Sequence, residues 1–322
     1  MKALIAGGAG FIGSHLCRLL LAKGFEVICV DNLMTSTLDS IATLMGRKGF
    51  HFIKHDIRVP LAIGGIDYVF NLASPASPIH YQKRPIDTLI INGTGTYELL
   101  KLAVDNKARF LLASTSEVYG DPKLHPQPEQ YWGNVNPVGV RSCYDEGKRF
   151  AESLTTAFSN EYSLDTRIVR IFNTYGPFMR PDDGRVIPNF VNQALKGRPM
   201  TIYGDGLRTR SLCFIDDLVR GLYLAAISDS IDVKPINIGS GDERTLLELA
   251  NLIKALVGSS SDLKFLPALE DEPTKRKPDI TRAKQALGWE PLTSLEEGLA
   301  VTIAWFSELR SLKEETTHEY PR

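Results

Sequence analysis

Tyr144 and Lys148 stand four residues apart in Cys143-Tyr144-Asp145-Glu146-Gly147-Lys148, at the start of a helical pattern. On a helix, residues at i and i+4 share a face, about 6 Å apart along the axis. A phenol titrates at about 10, roughly three units too high for a base at neutral pH, a gap worth about 4 kcal/mol. An ammonium one turn away, together with the positive ring of an oxidised nicotinamide, could close that gap. Upstream, the apolar run 109–113 ends in Ser114-Thr115-Ser116-Glu117-Val118-Tyr119-Gly120. Hydroxyls and a carboxylate at a strand end, followed by Tyr-x-x-x-Lys, are what a hydride-transfer site needs. The Tyr–Lys spacing alone is equally that of an amphipathic surface helix; the hydroxyl-rich strand end argues for the site.

Such a pair needs a dinucleotide beside it. Residues 2–6 form a short apolar strand that runs into Gly7-Gly8-Ala9-Gly10-Phe11-Ile12-Gly13 and then a helical pattern at 14–22. Gly7, Gly10 and Gly13, with Phe11 and Ile12 between them, fit a strand-to-helix turn whose backbone must approach a pyrophosphate closely. A second strand, 26–30, ends at Asp31-Asn32. An acid there accepts hydrogen bonds from the adenosine ribose and repels a 2′-phosphate, which favours NAD over NADP; a simple Asp-Asn turn is the bland alternative. Asp56 and Ile57 follow a third strand and meet the adenine edge. A fourth strand, 68–72, leads through Leu72, Ala73 and Ser74 into Pro75-Ala76-Ser77-Pro78, where small side chains let the nicotinamide ribose sit close. A long helix at 85–105, a fifth strand at 109–113, the Tyr–Lys helix at 141–159 and a sixth strand at 166–172 complete the alternation. Alternating strand and helix predict an α/β fold, a Rossmann-like doubly wound parallel sheet, with ligands beyond the carboxyl ends of the strands.

After Phe172 the pattern changes to turns, short strands and amphipathic helices, which predict a smaller C-terminal α/β substrate lobe. The expected division is a dinucleotide-binding domain at 1–173, to which the chain returns at about 211–240, a substrate lobe at 174–210 and 241–312, and a polar tail at 313–322. The 322 residues are 43% hydrophobic and 23% charged, with net charge −1 and the two signs mixed. That balance gives no basic field for nucleic acid or an anionic membrane. No apolar run approaches the roughly 18 residues of a membrane span. Cys17, Cys29, Cys143 and Cys213 are scattered without a CxxC and read as reduced thiols of a cytoplasmic protein. His51 and His55 have no companions at metal-ligand spacing, so no metal is expected.

Five stretches in order now carry a resemblance: residues 72–78, 113–122, 143–149, Arg170-Ile171-Phe172-Asn173-Thr174-Tyr175-Gly176-Pro177, and Arg276-Lys277-Pro278-Asp279-Ile280. The chain resembles the extended short-chain dehydrogenases that act on nucleotide sugars, and within them the UDP-glucuronate decarboxylases. The resemblance implies a retained NAD and a UDP-sugar substrate in a homodimer. It implies that Tyr144 takes the proton of the sugar 4-hydroxyl, that Lys148 lowers the tyrosine pKa and holds the nicotinamide ribose, and that Thr115 bonds the 4-oxygen. Glu117 would orient the ring or a catalytic water, and Arg276 would act near the sugar carboxylate or the diphosphate. Asn173, Arg185 and Arg210 would bind UDP, since a diphosphate favours arginine forks, with Tyr203 also on the substrate; Tyr81, after the Ser-Pro pair, reads equally as a substrate contact or as a packed loop tyrosine. Without the resemblance, Arg276 in its basic triplet and Arg210 before a strand would read as solvated surface. Phe178 departs from the family, whose members usually carry arginine after Gly-Pro; Arg180 is the candidate to compensate. A 4,6-dehydratase needs an acid where Ser116 stands, and a hydroxyl is a poor general acid. A 4-epimerase leaves Glu117 and Arg276 unexplained, and a non-catalytic scaffold leaves Tyr144 and Lys148 unexplained.

Overall fold

The computed structural model describes residues 1–318. Seven strands form one parallel sheet: β1 (Lys2–Ala6), β2 (Glu26–Asp31), β3 (Phe50–Lys54), β4 (Tyr68–Asn71), β5 (Arg109–Thr115), β6 (Thr166–Ile171) and, far along the chain, β11 (Ile236–Ile238). Their order is β11-β6-β5-β4-β1-β2-β3, so the direction of winding reverses between β1 and β4. That reversal opens a crevice at the strands' carboxyl ends.

Alternation along the strands explains why both faces are covered. Ile5, Val27, Cys29, Phe70, Leu111 and Val169 face one core. Their neighbours Leu4, Ala6, Ile28, Val30, Val69, Phe110, Leu112 and Ile168 face the other. Side chains alternate across a strand, so a sheet buried on both sides needs apolar residues at nearly every position. The first face packs α1 (Phe11–Ala22) and α7 (Ile215–Ile227); the second packs α4 (Thr96–Asn106) and α5 (Ser142–Tyr162).

The expected long helix is three pieces: α3 (Pro85–Ile90), a π turn at Ile91–Gly95, and α4. The wider turn sets Asn92 against β4, where its amide donates to Ser74 Oγ at 3.0 Å. Before them lies α2 (Pro78–Lys83). A second group of elements caps the crevice. It contains β7 (Thr174–Tyr175) with β10 (Cys213–Phe214), α6 (Val186–Leu195), β8 (Met200–Tyr203) paired in parallel with β13 (Leu263–Leu266), and β9 (Thr209–Ser211) paired with β12 (Glu243–Thr245). Helices α8 (Leu246–Val257), α9 (Thr281–Leu287) and α10 (Leu295–His318) complete it. The expected polar tail is helical as far as His318, and its last four residues lie outside the described ones.

Residues 121–141 tie these parts together. Gln127 N donates to Lys277 O at 2.8 Å, and Lys277 N donates back to Gln127 Oε1 at 2.9 Å. Thr274 N and Oγ1 both donate to Asp121 Oδ1. These bonds fix the segment that carries Arg276.

Candidate active site

At the carboxyl end of β1 the chain turns within four residues. Gly7 has φ +78°, and a Cβ there would lie 2.8 Å from Ala73 N and Leu72 C, so the turn is pressed against the end of β4. A Cβ on Gly13 would meet Gly7 O at 2.1 Å. No side chain caps α1, which leaves its first-turn N–H groups and dipole for an anion. Asp31, at the end of β2, is buried and holds this region: Oδ2 accepts from Ala9 N at 3.1 Å, and Oδ1 accepts from Leu33 N and Ser36 Oγ. A groove here is lined by Gly7, Gly10, Asp31, Asn32, Ile57, Leu72, Ala73 and Ser74. Asp56 serves it indirectly. Its carboxylate is committed to Arg58 and to the Asn32 amide, whose Nδ2 donates at 3.1 Å, and the Arg58 bonds hold it down at about 2. This uncapped, glycine-pressed cradle fits the diphosphate of a dinucleotide.

The groove opens into a cavity of about 1830 Å³, well above the 300–1,000 Å³ or so of a single small-molecule site. Its walls bring together Phe11, Ile12, Gly13, Thr115, Glu117, Tyr144, Lys148, Asn173, Arg185, Tyr203, Arg210 and Arg276, and they also include Tyr81. Residues more than 150 positions apart in sequence thus share one space.

Tyr144 and Lys148 lie on the first turns of α5, both buried. Lys148 Nζ donates to Ala113 O at 2.9 Å. Burial pushes its pKa down to about 8, against the pull of the Glu152 carboxylate one turn on. Burial pushes the Tyr144 phenol up to about 12, with the Thr115 hydroxyl pulling it back. Below this pair, Glu152 binds Arg170 at 2.8 Å and accepts from Ser114 Oγ, and Arg170 Nη1 donates to Tyr119 OH, which donates to Asn237. This buried network fixes β5, β6 and α5 under the site.

Tyr81, from α2, lies parallel to the Tyr144 ring, with centroids 5.2 Å apart and planes 5° apart. Its hydroxyl is buried with no partner among the described residues, and burial pushes its pKa above the ordinary phenol value. Glu117 occupies the 3₁₀ turn Ser116–Tyr119 after β5. Both Arg276 Nη atoms donate to it, and so does Arg141 Nη2 at 2.5 Å. Burial opposes its charge, but the two guanidiniums outweigh burial and hold it well below the usual carboxylate range. The other arginines of the expected substrate set also carry carboxylates: Arg185 binds Asp183 and Arg210 binds Glu272 at 2.7 Å.

Sequence reasoning missed Arg141, whose only signal was its place three residues before Tyr144. It also left Phe178 aside. Phe178 lines the cavity, with the Arg18 guanidinium 4.2 Å above its ring. Arg180, expected to compensate, is held by Asp182 and donates to Thr35 O at 3.2 Å across the mouth of the cofactor groove.

A parallel sheet wound in both directions, an uncapped helix at its reversal, and a Tyr–Lys helix on one cavity wall define a dinucleotide-dependent enzyme of the Rossmann class. The chain belongs to the NAD-dependent epimerase/dehydratase family, whose model matches residues 3–239. It is 49% identical over 319 residues to UDP-glucuronic acid decarboxylase 1 of Danio rerio, covering 99% of this chain and 75% of that protein. It is 51% identical over 300 residues to UDP-glucuronic acid decarboxylase 5 of Arabidopsis thaliana, covering 93% and 87%. Among solved structures, UDP-glucuronic acid 4-epimerase from Bacillus cereus, in complex with UDP-glucuronic acid and NAD, superposes with TM-score 0.87 at 30% identity, covering 96% of this chain and 100% of that one.

Proposed function

We propose that the protein decarboxylates UDP-glucuronate to UDP-xylose. The observation that carries this reading is the Glu117–Arg276 pair on the wall that also holds Thr115, Tyr144 and Lys148, with a serine rather than an acid at 116. The two decarboxylase relatives support it across nearly the whole chain.

NAD, when bound, would supply the hydride acceptor for C4 of the sugar and, after decarboxylation, the hydride donor. Gly7, Gly10, Gly13 and the first turn of α1 would hold its diphosphate, Asp31 and Asn32 its adenosine ribose, Ile57 its adenine, Leu72 to Ser74 the region of its second ribose, and Lys148 that ribose itself. Tyr144 Oη takes the proton from the 4-hydroxyl. The oxidised sugar is a β-keto acid. Its C5–C6 bond breaks, the electron pair passes to the C4 oxygen, and carbon dioxide leaves. Thr115 and the protonated Tyr144 hold that oxygen while its charge is greatest. C5 then takes a proton from solvent water, and Tyr144 returns its proton to the 4-oxygen. Arg276 faces the carboxylate, and Glu117 orients the ring. Asn173, Arg185, Tyr203 and Arg210 receive UDP.

Incubating the protein with UDP-glucuronate and measuring carbon dioxide and UDP-pentose tests the reading. A 4-keto-6-deoxy sugar from dTDP-glucose would instead assign a dehydratase, an epimer retaining its carboxylate an epimerase, and no turnover of either a binding protein.

The working form in this proposal is a homodimer in the cytosol. Ile86, Leu89, Ile90, Tyr97 and Phe150 are exposed on the adjacent helices α3, α4 and α5, an apolar face that a second copy would cover. Four free buried thiols suit a reducing compartment. Sedimentation analysis of the wild type and Phe150→Asp tests the dimer: a dimer made monomeric supports it, a wild-type monomer contradicts it. We further take the division into a dinucleotide-binding domain and a substrate lobe to follow the boundaries expected from the sequence.

A further inference from the structure

Glu117 is gripped from two directions. Arg276 approaches with both Nη atoms from the segment between β13 and α9, and Arg141 approaches with Nη2 from the residue just before α5. The three side chains are 3%, 14% and 11% exposed for Arg276, Glu117 and Arg141, so water screens none of them strongly. The two arginines differ in how they are mounted. The carbonyl of Arg141 accepts from Tyr144 N at 3.0 Å and Asp145 N at 3.1 Å, which welds it to the helix end bearing Tyr144. Arg276 belongs to the elements that cap the crevice.

The inference rests on the decarboxylase reading above. A substrate carboxylate that engages Arg276 competes with Glu117 for the same guanidinium. Were Arg276 the sole partner, its turning would leave a buried carboxylate unpaired, among the most costly changes a protein interior can suffer. Arg141 removes that penalty. We propose that Arg141 is a positioning residue for decarboxylation: it keeps Glu117 ionised and fixed beside Tyr144 while Arg276 turns its guanidinium to the substrate carboxylate. Charge supports this division. Arg141, Arg276 and Glu117 together carry one net positive charge, which one substrate carboxylate neutralises. The remaining charged or titratable groups that face Glu117 are Tyr81 from α2, Tyr144 and Asp145 from α5, Arg185 before α6 and Arg210 from β9. Of these only the two arginines oppose a rise in its pKa, and each is already paired, with Asp183 and Glu272.

The test is steady-state carbon dioxide release from UDP-glucuronate across pH by the NAD-loaded wild type and by R141Q, R141K, E117Q and E117Q/R141Q, with bound NAD and circular dichroism confirming each fold. R141Q should lower kcat about 10- to 100-fold, the loss of one charged hydrogen bond, with KM within about threefold. An acid limb should enter its profile as Glu117, losing a cation, rises toward the ordinary carboxylate range. R141K should remove that limb and restore part of the rate. Because Arg141 acts through Glu117, E117Q/R141Q should be no more than about twofold slower than E117Q. Losses that multiply in the double variant, or an R141Q enzyme with wild-type kcat and pH profile, overturn the proposal. If R141Q does not fold, the pH limb of R141K and its cycle with E117Q decide by the same criteria. Wild-type protein that releases no carbon dioxide sinks the decarboxylase reading and this inference with it; active wild type with multiplying losses sinks this inference alone.

Discussion

Replacing Tyr81 by phenylalanine should strengthen the free protein and weaken its hold on substrate. Tyr81 is 1% exposed, stacked on Tyr144, and its hydroxyl is buried without a partner among the described residues. An unpaired buried hydroxyl costs about 1–3 kcal/mol. Tyr81→Phe removes that group and keeps the ring, so urea denaturation should show a protein no less stable than wild type and up to about 2 kcal/mol more stable. On the proposed decarboxylase reading, the same hydroxyl would donate to a substrate oxygen in the complex. If that oxygen is anionic the bond is worth about 1.5–3 kcal/mol, or about 10- to 150-fold in KM for UDP-glucuronate. The stack on Tyr144 is untouched, so kcat should stay within about twofold. Tyr81→Ala separates the ring from the hydroxyl. It should cost about 3–5 kcal/mol of stability for the cavity and lower kcat as well, because the catalytic ring loses its support. A Tyr81→Phe protein that is destabilised by more than about 1 kcal/mol, or whose KM is unchanged, would refute the reasoning.

Tyr144→Phe should cut turnover about 100- to 10,000-fold while NAD stays bound, because the Gly7–Gly13 turn and Asp31 at the proposed cofactor groove are untouched; unchanged turnover with NAD present would remove Tyr144 from its role. Asp145 is raised to about 8 from 3.8 by burial and then by the charge of Glu117. The folded protein therefore keeps a proton that the unfolded chain has lost, and stability falls as pH rises from about 4 to 8. Asp145→Asn should flatten that slope in urea melts taken across this range; parallel curves for the two proteins would contradict it. Gly13→Ala would drive a methyl into the Gly7 carbonyl, 2.1 Å away, and Gly8 Cα, 2.7 Å away. Backbone cannot yield as a flexible side chain can, so purified Gly13→Ala protein should lack bound NAD; normal NAD content would show that the turn has more room than the geometry allows.

Local chemistry was legible in the sequence, and electrostatics was not. The Gly7–Gly13 turn, Asp31 at the end of β2 and the Tyr144–Lys148 spacing are short-range patterns dictated by backbone geometry, and each stands at the crevice. The parallel direction of the strands also follows from alternation, because parallel strands need helical crossovers. Arg141 escaped notice because its partner Glu117 lies 24 residues back, and Arg276 lies 159 residues beyond that acid. Nothing in a linear pattern says which arginine meets which carboxylate. The depth at which Tyr144 is buried was not legible for the same reason: burial is a property of the packed site. The π turn at Ile91–Gly95 hides inside a helical pattern, although Gly95 within it marks where Ile57 crowds the backbone. Arg185 pairs with Asp183 and Arg210 with Glu272, partners that no linear pattern names.

The most direct test follows one atom. UDP-glucuronate carrying deuterium at C4 is incubated with the protein and its bound NAD, and the product is examined by NMR. Oxidation at C4, loss of the carboxylate and return of the same hydride within one site predict a UDP-pentose that still carries deuterium at C4, together with carbon dioxide. A product that keeps six carbons and its carboxylate, or a pentose whose C4 has exchanged its deuterium for hydrogen, would contradict the account.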